Sequence, residues 1–166
     1  MASTKEQAAN QAKALLDQVW GDRGFPVDPV AIATELGIRV IVTLLPAGVS
    51  GAIERRKGEE AVIYLSVSDP PKRRRFTCAH ELGHYVRFQE KEEVAFVDHR
   101  DGEQNEEEQF ANAFAATLLM PEEPVIEMIK AKGIQATALW QLARNFDVSE
   151  SAVRARVASL KTKVSS

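Results

Sequence analysis

The chain has 166 residues, 45% apolar and 27% charged, enough for one domain with a true core and ordinary for a soluble globular protein. A formal net charge of −3 excludes a global attraction to nucleic acid or anionic membrane, so any basic patch must be local. A single cysteine, Cys78, excludes an internal disulfide, and no bilayer-length apolar run or signal-peptide pattern occurs, so a cytoplasmic protein is expected.

Ala8, Ala12, Leu15, Leu16 and Val19 recur at helical spacing over residues 5–20, with Ser3 or Thr4 as the cap. After the break at "GDRGFP", Asp28 as N-cap, Pro29 at the first helical position and Gly37 at the end bound a short helix. The β-branched run "RVIVTLL" predicts a strand. Ile53 and "AVIYLSV" predict two more, separated by the polar "RRKGEE" turn. Lys72 to Phe88 is helical, and "VDHRDGEQN" reads as a loop. Next come a helix from Glu103 to Leu119 stopped by Pro121, helices near 122–131 and 137–146, and "VSESAVRARVASLK". The order predicts an α+β fold, a small sheet on a mainly helical core. Residues 126–166 are expected to pack on the same single domain as residues 1–125.

The helix over 72–88 carries His80-Glu81-Leu82-Gly83-His84. Residues four apart share a helix face, about 6 Å apart along the axis. Both imidazoles can therefore reach one Zn²⁺ at ~2.0–2.1 Å. Glu81 flanks that face and can take a proton from a water whose pKa the metal lowers to ~7, activating it against a polarised carbonyl. Gly83 leaves the helix bare beside the site, open to a substrate or a neighbouring strand. The bland alternative is two histidines falling by chance on a solvated or structural face; the setting in an amphipathic helix, with Phe76, Ala79, Leu82 and Val86 as its buried stripe, favours zinc over it. A structural zinc site would favour four closing ligands and cysteine, and Cys78 points to another face of the helix.

A catalytic zinc site needs a third protein ligand. One option is His99, in the "VDHRDG" loop. The other is a carboxylate from "EQNEEEQFANAFAATLLMP", whose apolar stripe of Phe110, Ala111, Phe114, Ala115, Leu118 and Leu119 puts Glu106 outside, Glu107 near the middle and Glu108 at the edge. A buried carboxylate needs a cation, whereas exposed ones merely suit the helix N-terminus. Periodicity leaves Glu107 and Glu108 open.

"RRRFTCAHELGHYV" followed by "EQFANAFAATLLMP", with "PVDPVAIATELGIRVIV" and "VSGAI" upstream, resembles the ImmA/IrrE zinc metallopeptidases over roughly residues 10–125. The resemblance implies that His80 and His84 bind one zinc per chain, that Glu81 is the general base and that Glu108 is the third ligand. It implies that Asn112, one turn later, helps orient that carboxylate. Many relatives carry a histidine shortly after the motif, where this chain has Arg87 and Phe88; His99 lies where they often have arginine, which weakens it as a ligand. Tyr85 and His99 remain candidates for stabilising a transition state, with packing the plainer role for Tyr85. Family members typically cut a helix-turn-helix repressor, which implies a zinc endopeptidase regulating transcription through a protein substrate. That substrate is expected to lie as an extended segment on a sheet edge, the strand in "AVIYLSV".

Two basic features compete. "LARNFDVSESAVRARVASL" resembles a helix-turn-helix, and residues 137–166 hold five basic and two acidic side chains. The overall acidity, a turn without glycine and only Arg154 and Arg156 on the reading helix favour two packed helices over a DNA reader. The "KRRR" run at 72–75 opposes the helix dipole and reads as solvated surface, with an acidic substrate segment or "EQNEEE" as other partners.

Overall fold

Ser3 starts the first helix with a reciprocal cap: its hydroxyl accepts from the Glu6 amide at 3.3 Å, and Glu6 accepts from the Ser3 amide at 2.7 Å. This helix, α1 (Thr4–Leu15), widens into a π-helical turn over Leu16–Trp20. Asp28 accepts from the amides of Val30 and Ala31 and caps α2 (Pro29–Glu35). The computed structural model describes residues 1–102 and 104–164, and the side chains of Thr162 and Val164 are not described.

Three predicted strands form as β1 (Arg39–Thr43), β2 (Val49–Arg55) and β3 (Val62–Ser66). A fourth, β4 (Val94–His99), occupies part of the segment expected to be a loop. It pairs antiparallel with β2, Ile53 opposite Phe96 and Gly51 opposite Asp98. The order is β1-β3-β2-β4, with β1 parallel to β3 and the other pairings antiparallel. The expectation that "AVIYLSV" offers a free edge is thus wrong: β3 is paired on both sides, and the edges are β1 and β4.

α3 (Pro71–Arg87) lies across β2 and its neighbours, and α4 (Glu106–Leu119) packs against both α3 and α1. The fold is α+β. Asn105 caps α4 by accepting from the Glu108 amide at 2.9 Å; the predicted start at Glu103 lies outside the described residues. Gly83 lets α3 and α4 meet, because a Cβ there would stand 3.0 Å from Ala111 Cα and 3.2 Å from Phe114 Cβ. The neighbour at Gly83 is therefore α4, where the sequence led us to expect a substrate or strand.

The chain continues through α5 (Glu122–Lys132), α6 (Ala136–Phe146), α7 (Glu150–Ser159) and α8 (Lys161–Val164). One apolar cluster runs from Ala8 through Phe110 and Phe114 to Phe146, Val153 and Leu160. Three of the four "KRRR" cations have partners within the chain, correcting the solvated-surface reading. Arg73 faces buried Asp69 and Ser50, and Arg74 donates to the Val67 and Asp69 carbonyls. Arg75 donates to the carbonyls of Val27, Phe146 and Asp147, fastening the α6–α7 turn to α3. Among the described residues, no helix is long and apolar enough to cross a membrane.

Candidate metal centre

The middle of α3 is buried without interruption from Thr77 to His84. His80 and His84, one turn apart, face the N-terminal turn of α4, and their Nε2 atoms lie 3.1 Å from each other. Glu108 closes the triangle, one oxygen 3.2 Å from His80 Nε2 and the other 3.1 Å from His84 Nε2. Asn112 Oδ1 lies 3.0 Å from His80 Nδ1, where it can accept that proton, and in the neutral ring this leaves the lone pair on Nε2. The expected partner of Asn112 was the Glu108 carboxylate; its partner in the fold is His80.

Glu107 goes elsewhere. Its carboxylate is 2.6 Å from Arg87 Nε, and Glu106 meets Arg87 Nη2 at 3.1 Å. Arg87 itself lies over the Phe110 ring, 4.7 Å from its centroid. A cation at the α3 end thus takes the carboxylates that helical periodicity alone could not rank.

The donor set fits a divalent metal. Two imidazole nitrogens and both oxygens of one carboxylate converge there, so a single cation could be shared by all three side chains. Tetrahedral zinc with bonds of ~2.0–2.1 Å would space its ligand atoms about 3.3 Å apart, close to the 3.1–3.2 Å found. Without a metal, hydrogen bonds from His80 and His84 hold the Glu108 carboxyl down at about 2. Burial opposes charge on His80, but Glu108 and the other nearby carboxylates outweigh it and raise that pKa.

Glu81 is fully buried, and neither carboxylate oxygen has a hydrogen-bond partner. Burial pushes its pKa up to about 8; His80 works against the shift, and Asp98 and Glu108 add to it. A buried carboxyl with no hydrogen-bond partner and a raised pKa, set beside two histidines, is the kind of group that functional sites collect. Gly51 of β2 runs directly beneath, where a Cβ would stand 3.3 Å from Glu81 Oε1.

Asp98 was missed in the sequence. It is half-buried on β4, and with His80 and Glu81 forms a second group whose potential ligand atoms lie within 4.8 Å of one another. Its segment read as a loop, so no face could be assigned to it. Phe96 on the same strand stacks on the His84 ring with centroids 4.2 Å apart. Tyr85 lies under the Arg55 guanidinium, 5.4 Å from its ring centroid, and packs against the core. His99 is exposed on the rim of a cleft of about 970 Å³ that His80, Asp98, Glu108 and Asn112 also line. Cys78 is buried with its thiol pushed up to about 12 chiefly by desolvation, which makes it inert.

The family model described as the IrrE N-terminal-like domain, peptidase M78, matches residues 33–158. The radiation response metalloprotease IrrE of Deinococcus radiodurans is 36% identical over 96 residues, 56% of this chain and 29% of that protein. Its namesake from Deinococcus deserti is 33% identical over 114 residues, 66% of this chain and 40% of that protein. The chain spans less than half the length of these curated relatives. A solved Mycobacterium tuberculosis transcriptional regulator aligns at 16% identity with a TM-score of 0.58, covering 90% of this chain and 47% of that one. That last likeness is one of fold.

Proposed function

The chain belongs to the ImmA/IrrE metallopeptidase family, and on that premise we propose that it is a zinc-dependent endopeptidase regulating transcription by cutting a helix-turn-helix repressor. The observation that carries the reading is the orphaned Glu81 carboxylate beside the convergent His80, His84 and Glu108. These three residues would hold one Zn²⁺, which when bound polarises a carbonyl and acidifies water. Glu81 takes the proton and returns it to the leaving amine; a pKa raised by burial suits both halves of that task. Asn112 fixes the His80 tautomer. Phe96, stacked on His84, excludes water from one side of the imidazole.

The substrate segment lies extended along β4, the sheet edge whose Asp98 and His99 border the cleft. Edge addition supplies main-chain hydrogen bonds, and the cleft supplies specificity. The test is incubation of zinc-loaded chain with a helix-turn-helix repressor encoded beside its gene, read by mass spectrometry. Defined fragments are expected with the native chain and none after chelation. An intact repressor under both conditions, with zinc bound in the first, would overturn the proposal.

A further inference from the structure

The cleft extends well beyond the histidines. Its floor follows one ridge of α4 in steps of four residues, Glu108, Asn112, Ala116 and Met120. From residue 108 to residue 120 a helix rises roughly 18 Å, which an extended peptide crosses in about five residues. At the far end stands α7, whose Arg156 lines the cleft and donates through Nε to the Met120 carbonyl at 3.0 Å. Its Nη2 is sealed from solvent without a hydrogen-bond partner, so the charge meets the cleft through the exposed remainder of this half-buried side chain. The nearby carboxylate, Glu122, is held by Lys163, whose ammonium lies 2.8 and 2.9 Å from its two oxygens.

Lys5 and Glu6 of α1 also line the wall, and Glu6 acts on Lys163, so three cations stand against two carboxylates at this end. Burial lowers the Arg156 pKa while Glu122 acts in the opposite sense, as befits a charge with too little compensation. Small side chains, Ala113 and Ala116 of α4 with Ala152 and Ala155 of α7, are among those that line the cleft and leave room for an extended chain.

We infer that the Arg156 end of the cleft recognises an acidic side chain of the segment to be cut, about five residues from the scissile bond. The inference rests on the proteolytic reading above and adds a specificity to it. Continuity with the metal centre favours a peptide occupant, and the excess positive charge favours an acid. α7 then serves as a substrate wall.

The test pans a random peptide library against the whole zinc-loaded chain carrying Glu81→Gln. Enriched peptides are then offered to the native chain for cleavage. Enrichment of Asp or Glu at a fixed spacing from the bond cut is expected. Arg156→Gln should weaken the binding of those peptides roughly tenfold or more, as expected for loss of a charged hydrogen bond. Ala155→Glu, on an exposed position of the same wall, should do likewise while leaving the Arg156–Met120 bond in place, so loss of folding cannot explain both. Zinc content and circular dichroism should be unchanged in the second variant. Peptides that are cut but carry no acid preference, or whose binding ignores both variants, would overturn the inference and leave proteolysis standing. Acid-dependent binding without cleavage would uphold the recognition and overturn the proteolytic reading, and no enrichment at all would overturn the inference.

Discussion

Glu81 carries a charge problem that a metal-bound water would solve. Its carboxyl titrates near 8 in place of the ordinary 4.5, because burial removes its hydration and no protein donor replaces it. In metal-free protein the folded state therefore keeps a proton that the unfolded chain has already lost. That stabilising contribution is complete below about 4.5 and is lost as the pH rises through about 8. Denaturant unfolding of metal-free native chain and of Glu81→Gln should show the variant gaining, by up to a few kcal/mol, between about pH 5 and about pH 9. A gap that stays flat with pH contradicts the buried carboxyl. In the zinc-loaded chain the same variant should retain its metal and its fold while cleavage slows by about 10²–10⁴-fold, since it loses the proton acceptor and no ligand. The proposed ligands separate cleanly: metal analysis should find His80→Ala and Glu108→Gln depleted and Glu107→Gln full, because Glu107 is held by Arg87. An empty Glu107→Gln site with a full Glu108→Gln site reverses the assignment.

The elements divide into those whose ends are punctuated and those whose identity depends on distant neighbours. Ser3, Asp28 and Asn105 cap through their own side chains, and Pro121 stops α4, so these helix boundaries could be read locally or to within a few residues. β4 could not: Val94 alone is fully buried, Val97 is half exposed, and only pairing with β2 makes the segment a strand. With β4 went Asp98 and the true sheet edge beside the site. His80 and His84 were legible because a single helix holds both. Glu108 was narrowed by periodicity but separated from Glu107 by resemblance, and the physical discriminator, Arg87 on α3, is tertiary. Gly83 is the element-scale counterpart, since it sets the α3–α4 separation and with it the reach of Glu108 to the histidines. Gly83→Leu should cost about 1–3 kcal/mol by overfilling that seam, against the ~1 kcal/mol a helix gains on losing glycine. It should also weaken zinc affinity although no ligand is touched, measurable by chelator competition. Native affinity in a folded Gly83→Leu chain would show that the seam does not position Glu108.

At the scale of the whole molecule, the helix-turn-helix pattern of α6 and α7 has to be weighed against where its side chains go. Phe146, Val148, Val153 and Val157 are buried in the common core, and Arg75 fastens the intervening turn to the helix that carries the histidines. Of the two arginines available to a reading helix, Arg156 is turned inward onto Met120, and Arg154 remains exposed. A single exposed arginine is a poor basis for base readout, and the formal charge of −3 adds no phosphate attraction. If α7 nevertheless read DNA, affinity should fall steeply with salt, weaken in Arg154→Ala, and survive both zinc chelation and Glu81→Gln. The proteolytic reading demands the reverse. The purified chain should show no sequence-specific retention of operator DNA in a gel-shift titration, and Arg154→Ala should leave repressor cleavage unchanged. Relief of repression in a reporter should require His80, Glu81 and zinc together. We expect this second pattern, because Arg156 is turned inward and lines, with His80 and Glu108, one cleft between α3, α4 and α7 instead of an outward helix face. Specific, zinc-independent DNA binding with the repressor left whole would transfer the function from α3 to α7.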